Sequence, residues 1–186
     1  MAEAMETSVG WRYYLQEKVL VIFCLGFSAG LPFPLVYSTL SAWLEEAGVE
    51  RSTISTFAWL GFAYSLKFLW APIVDSTKLP ILTRLLGRRR AWMLLAQLSI
   101  GGALLVMSGV DPAKNIEAFA LIAFAVAFCS ATQDIVIDAY RIESAESDMQ
   151  GVLAAAYQYG YRTSLLISMA GALYLAEYAS WSMTYM

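Results

Sequence analysis

Five long apolar runs constrain most strongly how this 186-residue chain can fold. They extend over about residues 18–44, 54–74, 91–110, 117–140 and 151–177. Each is close to or above the roughly 20 residues that an α-helix needs to cross a lipid bilayer. The polar connections between the runs are short. The sequence therefore predicts an all-α membrane protein, folded as one continuous helical bundle.

Composition agrees with this prediction and narrows the possible functions. Apolar residues make up 59% of the chain, against about 45–50% in an average soluble domain. The chain has no histidine, which rules out histidine metal sites and histidine proton relays. Cys24 and Cys129 lie inside apolar runs and are interpreted as small packing residues. No nucleophile–base pair is recognisable. We expect no enzyme activity, no metal, no cofactor and no nucleic-acid partner.

Basic residues predict how the bundle is oriented. The connection after the second run contains one acid, Asp75, and the basic residues Lys78, Arg84, Arg88, Arg89 and Arg90. Positively charged loops stay on the cytoplasmic side of membranes. This predicts a cytoplasmic N-terminus, a cytoplasmic second loop, and external loops at 45–53 and 111–116. Trp11, Tyr13 and Tyr14 precede the first run, where interfacial aromatic residues are common.

The fourth run carries polar residues where hydrocarbon is expected, namely Gln133, Asp134, Asp138 and Arg141. On a helix, residues 134, 138 and 141 lie on one narrow stripe. A charge inside a membrane costs roughly 2.5–3.5 kcal/mol on insertion scales, so this stripe must face protein or water. For Asp138 and Arg141 the alternative is a local pair at the helix end.

Two cations lie at depths comparable to that of Asp134. By helical rise, Lys67 is about 12 Å, Asp134 about 10 Å and Arg162 about 16 Å from the cytoplasmic side. We predict that these three side chains meet and leave one net positive charge for an anionic solute. The alternative for Lys67 is that its long side chain reaches the inner surface.

Residues beside Arg162 extend this candidate site. Gln158 lies four residues before Arg162 and shares its helix face, and Tyr161 adjoins it. Phenol, amide and guanidinium groups suit a polar ligand that carries carbonyls or carboxylates. The alternative is a helix contact with internal hydrogen bonds only.

The first run contains Gly26 and Gly30, followed by Pro32 and Pro34. Two glycines four residues apart allow a neighbouring helix to approach closely. Each proline removes a backbone donor, so the helix should kink or unwind there. Interrupted spans often form the binding sites of transporters. The alternative is a bent, tightly packed helix without ligand contact.

The basic inner loop suggests a charge latch. We hypothesise that Asp75 and the arginines at 88–90 join the cytoplasmic ends of the helices, with Asp138, Arg141 and Glu143 as candidate partners. The alternative is that the arginines only anchor the chain to anionic lipid.

Several motifs resemble a known family. Ala71-Pro-Ile-Val-Asp75, followed by Gly87-Arg88-Arg89-Arg90, resembles the loop between helices two and three of major facilitators, although Ala71 replaces a glycine of that pattern. Further motifs are Gly26–Pro32, Leu66–Pro72, Ser130–Ala139 and Gly160–Arg162. Together they resemble the AmpG-type muropeptide permeases, over about Val21 to Met186.

The resemblance implies a major facilitator-type bundle that imports anhydromuropeptides across the inner membrane with protons, by alternating access. Asp134 is then the leading candidate for proton coupling. The acetyl-coenzyme A transporters are relatives with another anionic solute. Major facilitators have twelve helices in two halves. The five runs, with residues 181–186 opening a sixth, are therefore expected to form an N-terminal half that lacks its C-terminal half. The alternative is a membrane assembly protein that transports nothing.

Overall fold

The structure, a computed structural model, describes residues 16–186 and contains helices but no β-strand in that range. The predicted cytoplasmic N-terminus, with Trp11, Tyr13 and Tyr14, lies outside the described residues.

The first apolar run forms three consecutive helices, which are α1 (Glu17–Gly30), α2 (Pro32–Val36) and α3 (Ser38–Glu46). The chain departs from regular helix at Leu31, and again at Tyr37, where φ is −122° and ψ is −89°. Pro32 begins α2, a position where its missing N–H leaves no hydrogen bond broken. The proline-containing segment is thus a short helix of its own between two longer ones.

The second run is divided further, into α4 (Arg51–Thr56), α5 (Gly61–Ser65) and α6 (Ala71–Ser76). Two 3₁₀ turns, at Phe57–Leu60 and Lys67–Leu69, connect these helices. Pro72 has no N–H to donate to Phe68, and its ring crowds that carbonyl. A regular α-helix cannot continue through this segment, and the tighter 3₁₀ turn replaces it.

The rest of the chain forms five helices, namely α7 (Leu82–Leu86), α8 (Arg88–Ser108), α9 (Ile116–Glu143), α10 (Gln150–Tyr178) and α11 (Trp181–Thr184). Gly87 precedes α8 with φ +81°, a left-handed conformation that glycine adopts without strain. Asn115 caps α9 by accepting a hydrogen bond from the N–H of Ala118 at 3.1 Å.

Within the described residues, three segments are long and apolar enough to cross a membrane: Glu17–Glu46, α8 and α9. Five spans were predicted. The second predicted span is broken into the short helices α4, α5 and α6. The fifth corresponds to α10, which is 29 residues long but contains Gln158, Arg162 and several tyrosines that reduce its hydropathy. The protein is therefore an all-helical membrane protein with at least these three candidate spans.

Helices α1 and α10 pack backbone against backbone. A Cβ atom on Gly26 would overlap the carbonyl of Tyr157, and one on Gly160 would overlap the carbonyl of Phe23. At Gly30, an added Cβ would meet Ser164 and the carbonyl of Tyr161. Glycine at these positions permits the close approach that the spacing of Gly26 and Gly30 predicts.

The helix ends form two distinct groups of contacts. At one end the indole of Trp181 donates to Glu46 at 2.7 Å, and its ring stacks on that of Trp43. At the other end Arg89 contacts Asp75 and Glu143. The chain passes from end to end with each successive long helical segment, as expected for a bundle of antiparallel neighbours.

Candidate functional site

A partly buried group of charges joins the 3₁₀ turn at Lys67 to α9. The Nζ atom of Lys67 lies 3.8 Å from Oδ2 of Asp134 and 3.6 Å from Oδ2 of Asp138. Asp138 also lies 3.7 Å from Arg141, measured from Oδ1 to a terminal guanidinium nitrogen. We call these four residues the Lys67 cluster. Two positive and two negative charges balance within it.

The periodicity of α9 produces this arrangement. Asp134 and Asp138 are one turn apart on the same face, so a single ammonium group can lie between them. The distances are those of ion pairs and exceed ordinary hydrogen-bond lengths. Lys67 keeps 33% of its side chain exposed and Asp134 only 11%. The pair therefore lies at the edge of the protein interior, with the carboxylate on the inner side.

Asp138 forms the local pair with Arg141 that the sequence offered as an alternative. It also shares Lys67 with Asp134, a contact that the sequence did not predict. The sequence predicted contact between Lys67 and Asp134, and the structure contains it.

Arg162 does not take part in this cluster. Its side chain is exposed, and among the described residues no carboxylate lies within ion-pair distance of it. Gly160 and Ser164 face α1. Arg162 is about 200° around the helix from Gly160 and therefore lies on the opposite side of α10. Gln158 is exposed as well, whereas Tyr161 is half-buried with its ring 6.0 Å from that of Tyr157.

Gln133 belongs to a second polar group, on another side of α9. Its amide nitrogen donates to the hydroxyl of Ser28 at 3.0 Å, and Gln97 of α8 donates to the same hydroxyl at 3.2 Å. These three side chains line a cleft of about 450 Å³ between α1–α2 and α8, to which Pro32 also contributes. Pro34 is buried, and its carbonyl accepts the hydroxyl of Thr39 at 2.7 Å.

Sequence reasoning missed Ser28 and Gln97. Ser28 lies between the two glycines of α1, and Gln97 is an isolated amide in the apolar α8. A lone polar residue in a membrane-length helix was the available signal. It also missed Tyr64 and Ser130, whose hydroxyls are buried without a hydrogen-bond partner, as is Oδ1 of Asp134.

A second charge group lies at the end of the bundle that contains the arginine-rich loop. Arg89 donates from Nη1 to Asp75, and from Nε and Nη2 to the two oxygens of Glu143, with Nε 3.2 Å from Oε2. We call Asp75, Arg89 and Glu143 the Arg89 cluster. One planar guanidinium thus connects α6, α8 and α9.

The hypothesised latch included more residues than the Arg89 cluster contains. Of the three partners considered, Glu143 contacts the loop, while Asp138 and Arg141 belong to the Lys67 cluster. Arg88 and Arg90 form no ion pair within the described part of the chain. Gly87, in its left-handed conformation, directly precedes α8, which begins at the first of these arginines, Arg88.

Comparison with known proteins identifies the family. The family model described as "Acetyl-coenzyme A transporter 1" matches residues 18–182, which is most of the chain. The chain belongs to this family.

Members of the AmpG group are similar to this chain. It is 38% identical over 176 residues to "Putative transporter AmpG 4" of Rickettsia conorii, covering 94% of this chain and 42% of that protein. The corresponding protein of Rickettsia felis gives the same identity and coverage. "Anhydromuropeptide permease" of Escherichia coli K12 is 37% identical over 166 residues, which are 89% of this chain and 33% of that protein. The resemblance to AmpG-type permeases is confirmed, and the chain spans about two-fifths or less of the length of these relatives.

Proposed function

We propose that this chain is the N-terminal part of a proton-coupled importer of anhydromuropeptides in the inner membrane. The observation that carries the proposal is the Lys67 cluster, an ion-pair network partly buried against a membrane-length helix. Membrane charges of this kind are costly and mark solute or proton pathways. The names of the relatives supply the solute class.

We further propose that five helical segments cross the membrane, with residues 181–186 opening a sixth. Three segments qualify by length and hydropathy. The other two lie alongside them: α10 packs against α1 through Gly26, Gly30 and Gly160, and the segment 51–76 packs against α9 through Lys67. A segment held against a membrane-spanning helix in this way would lie at a similar depth. By the charge of its loops, the bundle would have a cytoplasmic N-terminus.

In the proposed mechanism Asp134 accepts the transported proton. Ionised Asp134 shares Lys67 with Asp138. Neutralising Asp134 would leave Lys67 attracted to Asp138 alone, so the turn at Lys67 and α9 would favour a different relative position. A proton that stabilises one of two arrangements shifts the population between them, which is the basis of alternating access. The Arg89 cluster would hold the cytoplasmic ends together in one of these states.

The charge balance supports an anionic solute. The Lys67 cluster is neutral as a whole, and Arg162 is an exposed cation without an ion-pair partner in the described residues. A guanidinium binds a carboxylate through two parallel hydrogen bonds. Arg162, with Gln158 and Tyr161, would contact the solute, and the C-terminal half would complete the site.

The family model supports a second candidate solute. Its description names an acetyl-coenzyme A transporter. Acetyl-coenzyme A is anionic too, through its phosphates, so the same cation would suit it. The third candidate function is that of a membrane assembly protein without transport activity, in which the charges only join helices.

Uptake measurements test the proposal. A full-length protein containing this chain would be assayed in membrane vesicles for uptake of labelled anhydromuropeptide, with and without an inward proton gradient. We expect gradient-driven uptake that unlabelled acetyl-coenzyme A does not compete away. Asp134→Asn should abolish the dependence on the gradient. Strong competition would favour the second solute, and absence of any uptake would favour the assembly protein.

Asp111→Asn is a matched control for this substitution. Asp111 lies in the exposed loop between α8 and α9, and its hydrogen bond with Lys114 lowers its pKa below the ordinary value. The Asp111 carboxylate therefore stays ionised throughout the assay and carries no proton. Its replacement by asparagine should not affect proton coupling. If Asp134→Asn keeps the same gradient dependence as this control, Asp134 is not the proton site.

A further inference from the structure

Three buried oxygen atoms on α5 and α9 have no hydrogen-bond partner of ordinary geometry. They are Oδ1 of Asp134, the hydroxyl of Ser130 and the hydroxyl of Tyr64. As whole residues, Ser130 is 1% exposed and Asp134 is 8% exposed. Burying a polar group without a partner costs about 1–3 kcal/mol, so such groups are uncommon in a folded protein. Three in one neighbourhood require an explanation.

The three atoms lie close to one another. Ser130 and Asp134 are four residues apart on α9 and face the same way. Tyr64, on α5, lies with its hydroxyl close enough to that of Ser130 for a weak interaction, although no hydrogen bond of ordinary geometry joins them, and Asp134 lies near both. The two carboxylate oxygens of Asp134 therefore differ: Oδ2 faces the ammonium of Lys67, and Oδ1 is buried without a hydrogen-bond partner.

Hydrogen-bond chemistry separates the two protonation states of Asp134. An ionised carboxylate only accepts hydrogen bonds, whereas a protonated carboxyl also donates one. Lys67 can only donate, so it cannot accept from a protonated Asp134. A hydroxyl group both donates and accepts. Tyr64 and Ser130 are thus equipped to bind the protonated form, which Lys67 is not.

The other charged or titratable groups around Asp134 do not supply this function. They are Lys67 and Asp138, with Arg141 beyond them, and the phenols of Tyr157 and Tyr161 from α10. Asp138 is already engaged by two cations. The hydroxyls of the two α10 tyrosines are not fully buried, unlike those of Tyr64 and Ser130, so solvent can satisfy them.

We propose that Tyr64 and Ser130 form the hydrogen-bonding site for the protonated carboxyl of Asp134. A hydronium ion transfers its proton to Oδ1 and leaves as water, and no other covalent bond changes. The new O–H group donates to one of the two hydroxyls, and Lys67 remains with Asp138. Tyr64 and Ser130 are positioning residues in this scheme. The inference rests on the proposed role of Asp134 as the proton site.

Infrared difference spectroscopy on this chain in lipid tests the inference without a transport assay. The carboxyl C=O band that appears as the pH is lowered, and that Asp134→Asn removes, belongs to Asp134. Tyr64→Phe and Ser130→Ala should each move this band to higher frequency, because each removes one of the two hydroxyls that can accept from the carboxyl. The double variant leaves no acceptor and should show the larger change, since a protonated carboxyl without an acceptor has a stronger C=O bond. It should also lower the proton affinity of Asp134 about three- to tenfold, the worth of one hydrogen bond.

Two buried hydroxyls that already have partners provide matched controls. Tyr185 donates to the carbonyl of Leu35 at 2.7 Å, and Ser164 donates to the carbonyl of Tyr161 at 2.8 Å. Tyr185→Phe and Ser164→Ala should leave the Asp134 band unmoved. The hydroxyls of Tyr64 and Ser130 have at most a weak interaction with each other to lose, so their removal should not reduce thermal stability more than the controls do.

The outcomes separate this inference from the proposed function. If no band depends on Asp134 across the pH range, Asp134 does not bind a proton, and both fail. If the Asp134 band exists but Tyr64→Phe and Ser130→Ala leave it unchanged, the inference fails while the proton role of Asp134 stands. If both variants lose their fold where the controls do not, the hydroxyls are structural and the inference is overturned.

Discussion

Lys67 lies between two carboxylates, so its removal has a different consequence from the removal of either acid. Without Lys67, Asp134 and Asp138 face each other with no cation between them, whereas without Asp134 the lysine still has Asp138. We expect Lys67→Met to destabilise the fold by about 1–3 kcal/mol, less than for a fully buried pair because Lys67 is one-third exposed. Asp134→Asn should cost less. Thermal unfolding of the purified variants measures both.

The double variant Lys67→Met/Asp134→Asn checks the pairing directly. It leaves only Asp138, which retains Arg141, and should be more stable than Lys67→Met alone. Additive effects of the two substitutions would contradict direct interaction of these side chains, because independent sites add.

For individual side chains, helical rise predicts the position along the helix axis better than the helix face on which the side chain lies. Helical rise indicated that Lys67, Asp134 and Arg162 lie at similar depths, and the first two do meet. Arg162 lies on another face because Gly160 and Ser164 fix how α10 rotates against α1. That rotation depends on packing between two distant parts of the chain, which a single sequence does not reveal. The burial of the Tyr64 hydroxyl without a hydrogen-bond partner could not be predicted from the sequence for the same reason.

At the scale of helices, the contact between α1 and α10 depends on glycine. Gly26→Ala would push a methyl group into the carbonyl of Tyr157 on the facing backbone, which cannot move as a flexible side chain can. We expect a loss of stability of about 1–3 kcal/mol, typical of overpacking. Gly101→Ala on α8 is the matched control, since an added Cβ there meets nothing within 4 Å.

The control should be neutral or slightly stabilising, because alanine favours helix over glycine by up to about 1 kcal/mol. Thermal unfolding of the two variants provides the comparison. Equal stability of Gly26→Ala and Gly101→Ala would mean that α1 and α10 are not in backbone contact.

Helix breaks were only partly predictable. Pro32 and Pro34 predict an interruption of the first run, and the structure divides it at Leu31 and Tyr37. The second run was predicted as one continuous span, yet it contains two 3₁₀ turns. Pro72 accounts for the turn at Lys67. The turn at Phe57–Leu60 contains no proline, so local sequence gives no comparable reason for it.

At the scale of the whole molecule, orientation is accessible to chemical labelling. The native Cys24 is exposed and Cys129 is partly exposed, so both would first be replaced by serine. A cysteine at Gly48 should then react with an impermeant maleimide from the periplasmic side of intact cells. A cysteine at Lys78 should react only after the membrane is opened. The reverse pattern would place the arginine-rich loop outside, against the positive-inside rule.

The Arg89 cluster distinguishes a latch from a lipid anchor. Arg89 contacts acids on two other helices, whereas Arg90, next to it in sequence, is exposed and forms no ion pair among the described residues. If the arginines served only to bind anionic lipid, replacing either should have a similar effect. If Arg89 joins the ends of α6, α8 and α9, its loss should matter much more.

We therefore expect Arg89→Gln in the full-length protein to reduce uptake strongly, about tenfold, while Arg90→Gln retains most of it. Asp75 and Glu143 are each about half exposed, so exposing them unpaired costs little stability, and the amount of Arg89→Gln protein in the membrane should stay near normal. Uptake divided by membrane abundance is the quantity to compare. Asp75→Asn should reproduce part of the Arg89→Gln defect, since it removes one of the two contacts of Arg89. Equal uptake by Arg89→Gln and Arg90→Gln would leave lipid anchoring as the function of this loop.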